Sequence, residues 1–202
     1  MDTASDVYYT IDKPSVAEFK DRGSRFIAYA YPIVTPADFK ECLLRVKKEH
    51  PKAEHHCYAY RLGTDGLQFR SGDDGEPAGS AGRPILGQID SKELTNTAVV
   101  VVRYFGGTLL GVPGLINAYK TATALALQVV PIVSRAVEIP YALHFDYTQL
   151  NDVMQVVRQQ QCRVIEQDLQ LFCRMVLGIP KARLTEALYK LGELYTVEVK
   201  PV

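Results

Sequence analysis

The chain has 202 residues, 47% of them apolar and 23% charged, with 23 basic side chains balanced by 23 acidic ones. That length accommodates two modest domains, each with its own core. The composition excludes a disordered chain, and no apolar run reaches the ~20 residues that a membrane span needs. The charge balance holds in each half, 15 against 15 before Arg135 and 8 against 8 from it onward. Neither half therefore has the basic excess of a protein held to nucleic acid mainly through phosphates.

The start, Met1-Asp-Thr-Ala-Ser-Asp, is acidic and polar, unlike a signal peptide. Cys42, Cys57, Cys162 and Cys173 form no C-x-x-C pair, so reduced thiols and a cytoplasmic protein are expected. Tyr8–Ile11, Val16–Lys20 and Phe26–Pro32 read as strands. A helix starts at Thr35 or Asp38 and runs to about Glu49, where Pro51 prevents its continuation. Cys57–Leu62 and Leu67–Ser71 form a hairpin around Thr64-Asp65-Gly66. Thr97–Tyr104 is a β-branched run that fits a central strand buried on both faces. Pro113–Val130 reads as a long helix, ended by Pro131, with the stretch to Arg135 as the link between domains.

Beyond the link, Val137–Phe145 is a strand and Tyr147–Gln160 a helix with Leu150, Val153, Met154 and Val157 at helical spacing. Thr148 or Asn151 is placed to cap it. Cys162–Glu166 and Leu169–Ile179 follow as strands joined by a tight polar turn at Gln167-Asp168. Pro180 opens a second helix and Gly192 stops it, and Tyr195–Val199 is the last strand. The order β-α-β-β-α-β is that of a ferredoxin-like split βαβ sandwich, and the fold class is α+β.

Two glycine-rich segments each leave a strand and enter a helix: Ser71 to Leu86, and Arg103 to Tyr119. Dense glycine permits positive φ and close approach of a backbone or ligand, and helix N-termini favour anions. The candidate ligand- or anion-binding residues are Arg83, Arg103, Gly79, Ser80, Gly82, Gly106, Gly107 and Gly114. Asp73, Asp74, Glu76, His56 and Tyr104 are possible supporting residues. The other reading is that the loops make tight turns and pack on each other, with Asp73 and Asp74 capping N–H groups. Neither segment fits a Walker A loop or a dinucleotide fingerprint. Asp73, Asp74 and Glu76 offer oxygens to a hard cation, but Gly75 and Pro77 interrupting them favour turn and cap roles. His55 and His56 point to opposite faces of one strand, which disfavours a zinc site with Cys57; His56 rather than His55 is expected beside the loops. No nucleophile-and-base arrangement stands out, so no catalytic residue, metal or cofactor is assigned.

The strings Asp73-Asp-Gly-Glu-Pro, Ala81-Gly-Arg-Pro-Ile and Val102-Arg-Tyr-Phe-Gly-Gly with Leu110-Gly resemble the central signature of the IMPACT/YigZ family. Ser24-Arg-Phe-Ile and Ala53-Glu-His-His-Cys-Tyr-Ala-Tyr extend the resemblance over most of Lys20–Tyr119. It implies an N-terminal domain, residues 1–134, like the second domain of ribosomal protein S5. As in bacterial members, it implies a ferredoxin-like C-terminal domain, residues 135–202, resembling one domain of translation elongation factor G. Eukaryotic members control translation initiation by binding a ribosome-associated activator of an initiation-factor kinase. Where the family usually has Lys, Gly and Arg, this chain has Leu109, Pro113 and Asn117, so two cations are missing from the second loop.

The function expected is therefore a non-enzymatic binding protein tied to translation or its stress regulation, contacting the ribosome, RNA or a translation-related protein. The alternative is an enzyme or sensor for a small phosphorylated ligand such as a nucleotide, held by Arg83 and Arg103. A protein-interaction module with a rigid loop surface is the third reading. No membrane partner is expected, and the sequence assigns no oligomeric state.

Overall fold

The computed structural model describes residues 5–202; the acidic start, Met1–Ala4, on which part of the signal-peptide reading rests, lies outside the described residues. The chain divides into two compact units, Tyr8–Arg135, and Ala136–Val202 together with the N-terminal residues up to Val7. The architecture is mixed α and β in both.

In the first unit, β2 (Ser15–Asp21), β3 (Ser24–Pro32), β4 (His55–Leu62), β5 (Gln68–Gly72) and β6 (Thr97–Tyr104) form a five-stranded sheet in the order β2-β3-β6-β4-β5. Every neighbouring pair is antiparallel. The β-branched run of β6 is at the centre and is buried from Thr97 to Arg103, which is why both its faces could be apolar. Val99 and Val101 face a core shared with α2 (Gly82–Asp90) and α3 (Gly111–Gln128), while Ala98, Val100 and Val102 face one shared with α1 (Pro36–Glu49). Each fully buried valine contributes about 2 kcal/mol of burial. Helix α1 starts where expected: Thr35 Oγ1 accepts from Asp38 N at 3.1 Å and Asp38 Oδ2 accepts from Thr35 N at 2.8 Å, a reciprocal cap.

The stretch after Pro131, expected as a link, is instead strand β7 (Ile132–Ala136), paired with β1 (Val7–Ile11). Asp12 N donates to the Pro131 carbonyl at 3.1 Å next to this pairing. Short strands with partners over 100 residues away leave little local pattern, and Pro131 reads as punctuation.

The second unit runs β8 (Glu138–Asp146), α4 (Leu150–Gln159), β9 (Arg163–Asp168), β10 (Phe172–Pro180), α5 (Leu184–Gly192) and β11 (Glu198–Pro201), with a 3-10 turn before each helix. The sheet order is β11-β8-β10-β9, antiparallel throughout. Leu143, Phe145, Met175, Leu177 and Ile179 pack against Val153, Val157, Ala187 and Leu191 of the helices. Two local expectations are corrected. The cap before α4 is Asp146, whose Oδ1 accepts from Thr148 N at 2.9 Å and Thr148 Oγ1 at 2.8 Å. The β9–β10 turn lies at Leu169–Leu171, because β9 extends through Gln167 and Asp168. Among the described residues no helix is long and apolar enough to cross a membrane, and all four cysteines are free thiols.

Candidate functional site

The first glycine-rich connection leaves β5 at Gly72 and enters α2 at Gly82. Asp73 organises it. Its Oδ2 accepts from Gly79 N at 2.9 Å, and its Oδ1 accepts from Ala81 N at 3.1 Å and Gly82 N at 2.8 Å. Ala81 has no capping side chain, so Asp73 supplies the anion that the helix start attracts. Burial pushes the Asp73 carboxyl up, but the donors at Gly79, Gly82 and Ala81, with the Arg83 charge, outweigh it and hold the group below its ordinary range. Gly79 sits at φ +76°, which glycine adopts without strain. The backbone of Gly82 lies so near Gly72 that a Cβ there would be 2.8 Å from Gly72 N. Ser80 is buried and donates its hydroxyl to the Pro77 carbonyl at 2.7 Å.

Three residues on, Glu76 turns inward. Its Oε1 accepts from Arg103 Nη1 at 2.7 Å and from the Tyr119 hydroxyl at 2.7 Å. The Glu76 and Arg103 side chains are 3% and 7% exposed, so this is a buried ion pair. The Arg103 guanidinium also lies 5.5 Å from the Phe26 ring centre and 5.6 Å from that of Phe105, and Arg103 Nε has no hydrogen-bond partner among the described residues. Cys57 Sγ donates to the Asp73 carbonyl at 2.9 Å and lies 3.3 Å from the Tyr119 oxygen. Burial pushes the Cys57 thiol up to about 12, which leaves it inert as a nucleophile. Burial likewise pushes the Tyr119 phenol up.

The second connection runs from Tyr104 to Gly111. Gly106 passes against the β2–β3 turn: a Cβ on Gly106 would lie 1.9 Å from Gly23 C, and Gly106 N donates to Ser24 Oγ at 3.1 Å. Gly107 has φ +84° with open space around it, and Gly114 is pressed on Leu110, its Cβ position 2.9 Å from Leu110 Cβ. Leu110 provides no side-chain cap for α3. Phe105, Leu109, Val112 and Ile116 are exposed along this loop and the first turns of the helix, Leu109 at 82%.

The sequence-selected residues thus form two groups and leave some apart. Asp73, Gly79 and Gly82 make the α2 cap; Glu76 and Arg103 make the ion pair, which Tyr119 and Cys57 join. Arg83 is exposed in the first turn of α2. Tyr104 faces the opposite side of the sheet, where its hydroxyl meets His50 Nδ1 at 2.9 Å. Asp74, at φ +42°, accepts from His56 N at 2.8 Å through Oδ2. Both histidine rings adjoin the loop: His55 Nδ1 lies 2.8 Å from the Asp74 carbonyl oxygen and Nε2 4.0 Å from Glu76 Oε1, while His56 Nδ1 lies 3.8 Å from Asp74 Oδ2 and its Nε2 meets the His50 carbonyl at 3.2 Å. The parts missed from the sequence are the inward use of Tyr119 and Cys57. A tyrosine on the apolar stripe of a helix, needing a partner for its hydroxyl, was the available signal. No group of three or more metal-ligating side chains converges among the described residues.

These features define a two-unit α+β protein whose central surface consists of glycine-rich connections fixed by a buried ion pair. The Impact N-terminal domain model matches residues 22–127. An IMPACT family member of Haemophilus influenzae is 37% identical over 174 residues, 85% of this chain and 84% of the relative. The family member YigZ of Escherichia coli is 37% identical over 150 residues, 73% of this chain and 74% of its own. A crystal structure of a hypothetical protein aligns over 98% of both chains with a TM-score of 0.79 at 30% identity. The chain belongs to the IMPACT family.

Proposed function

We propose that the protein is a cytoplasmic, non-enzymatic binding protein associated with translation or its stress regulation, and that it contacts the ribosome or a translation-related protein through the surface around Phe105–Ile116. Family membership supports the translation link. The observation that carries the mode of action is internal satisfaction of the glycine-rich connection. Asp73 occupies the start of α2 and Glu76 neutralises Arg103. Two groups that would seize a phosphate, the start of α2 and Arg103, are thus already engaged, which favours a preformed contact surface over a small-ligand pocket there. We further assign the ribosomal protein S5 domain 2-like domain, expected over residues 1–134, to the unit Tyr8–Arg135, and the ferredoxin-like domain, expected over residues 135–202, to the unit that contains Ala136–Val202. The order β11-β8-β10-β9 supports the latter.

The test is co-sedimentation with ribosomes at low salt, with RNA binding measured in parallel. Binding should weaken at least tenfold in a Leu109→Ser, Val112→Ser variant whose melting temperature is unchanged. If the wild-type protein binds neither ribosomes nor RNA, the translation reading is abandoned. Exposed Arg83 and the uncapped start of α3 favour the second reading, a small phosphorylated ligand. Thermal-shift screening against nucleotides and sugar phosphates tests it, with stabilisation lost in Arg83→Ala. Arg103→Ala is unsuited to that purpose, because it strips Glu76 of a buried partner whether or not a ligand binds.

A further inference from the structure

Helix α1 turns one face to the five-stranded sheet through Phe39 and Val46. In the middle of its other face Leu44 is 59% exposed. On a helix the surface neighbours of a residue stand three and four positions away. For Leu44 these are Lys40, Glu41, Lys47 and Lys48, all of them exposed. At about 100° per residue, Lys47, Lys40, Leu44 and Lys48 fall within one arc of about 100°, away from Phe39 and Val46. A single exposed leucine is ordinary. One set among lysines, whose four-carbon stems can lie along it, makes a small apolar floor with a cationic rim. Lysines in a last turn complement the helix end, which accounts for Lys47 and Lys48. Lys40 sits in the second turn, where the helix end gives no reason for a cation.

The acids on and beside this helix leave the arc positive. Asp38 accepts from the N–H groups of Val34 and Thr35 at 2.9 and 2.8 Å, and Glu49 from the Tyr29 hydroxyl at 2.7 Å. Asp74 accepts from His56 N and approaches Lys47 only to 4.0 Å. Glu41 lies at the rim of the arc, one turn before the exposed Arg45. Among the described residues Lys40, Arg45 and Lys48 form no ion pair. A face of this charge complements carboxylates. It would draw phosphates too, but nucleic-acid recognition relies on planar arginine donors and aromatic stacking faces. The arc has neither, and its centre is aliphatic. A carboxylate-rich protein segment that carries an apolar side chain uses both the leucine and the rim.

We propose that Lys40, Leu44, Lys47 and Lys48 form a docking site for an acidic amphipathic segment of a partner protein. It does not rest on the surface around Phe105–Ile116, and the variants that test the two share no residue. The probes are three synthetic peptides: one of glutamates and leucines, one with lysines replacing the glutamates, and one with serines replacing the leucines. Amide shifts of the full-length protein are followed by NMR. The glutamate–leucine peptide should move resonances in 40–48, and its affinity should fall with added salt. Lys40→Glu with Lys48→Glu should weaken it about tenfold or more and admit the lysine peptide in its place. Leu44→Ser should weaken it about tenfold while leaving its salt dependence in place. An unchanged melting temperature shows that each variant keeps the fold. Binding of neither charged peptide, equal binding of both, equal binding with and without leucines, or shifts confined elsewhere overturns the proposal. So does an RNA oligonucleotide that moves the same resonances at lower concentration than the peptide, which makes nucleic acid the occupant. Concentration-dependent dimerisation that Leu44→Ser abolishes overturns it in favour of a second copy.

Discussion

Glu76 Oε1 and Arg103 Nη1 meet at 2.7 Å with both side chains buried, and the loop that carries Glu76 is thereby tied to the central strand. Removing one partner leaves a buried charge alone. Glu76→Gln should therefore cost about 3–5 kcal/mol, and Glu76→Gln with Arg103→Met markedly less than the two single losses added. Urea denaturation of the four proteins checks this. Strict additivity would sink the idea that the pair acts as a unit.

Asp73 makes an acid-sensitive contribution. Its folded pKa lies below its ordinary value, so the stability it supplies is complete above the unfolded value of about 4 and is lost as pH falls through the folded one. Asp73→Asn should lower stability at pH 7 by about 1–3 kcal/mol and flatten the loss of stability below pH 4. Thermal melts between pH 2 and pH 7 provide the comparison.

The glycines of the second connection should separate into two kinds. Gly106→Ala forces a methyl group into the backbone of Gly23 and Ser24 and should cost about 3 kcal/mol. Gly107→Ala meets no neighbour and bears only its positive φ, a cost of about 1 kcal/mol. Similar losses at the two sites would contradict the packing argument.

Thiol reactivity should follow burial. With its pKa pushed up to about 12, Cys57 has roughly one thiolate in ten thousand at pH 8. Iodoacetamide should label half-exposed Cys42 and Cys162 first and reach buried Cys57 and Cys173 only on unfolding. Mass spectrometry of timed samples gives the order, and early labelling of Cys57 would refute its placement.

The elements whose pattern is local were legible in the sequence: the buried run of β6, the Thr35 start of α1, and the alternation that yields two helices among the last four strands. Strand β7 was not, because its pairing with β1 is decided by distant partners. Nor was the β9–β10 turn, whose leucines obey no turn preference. At the site, the capping role of Asp73 was one of two readings. The choice needed the positions of Gly79, Ala81 and Gly82 around one carboxylate. Arg103 was selected as a ligand group, and only the fold brings Glu76, 27 residues away in sequence, to meet it.

The contact between Gly106 and Gly23 has a kinetic consequence. It ties the second connection to a sheet turn, so that a partner meeting this surface finds it already in shape. Association should then follow a single exponential whose rate rises in proportion to partner concentration, without the plateau that a slow loop rearrangement imposes.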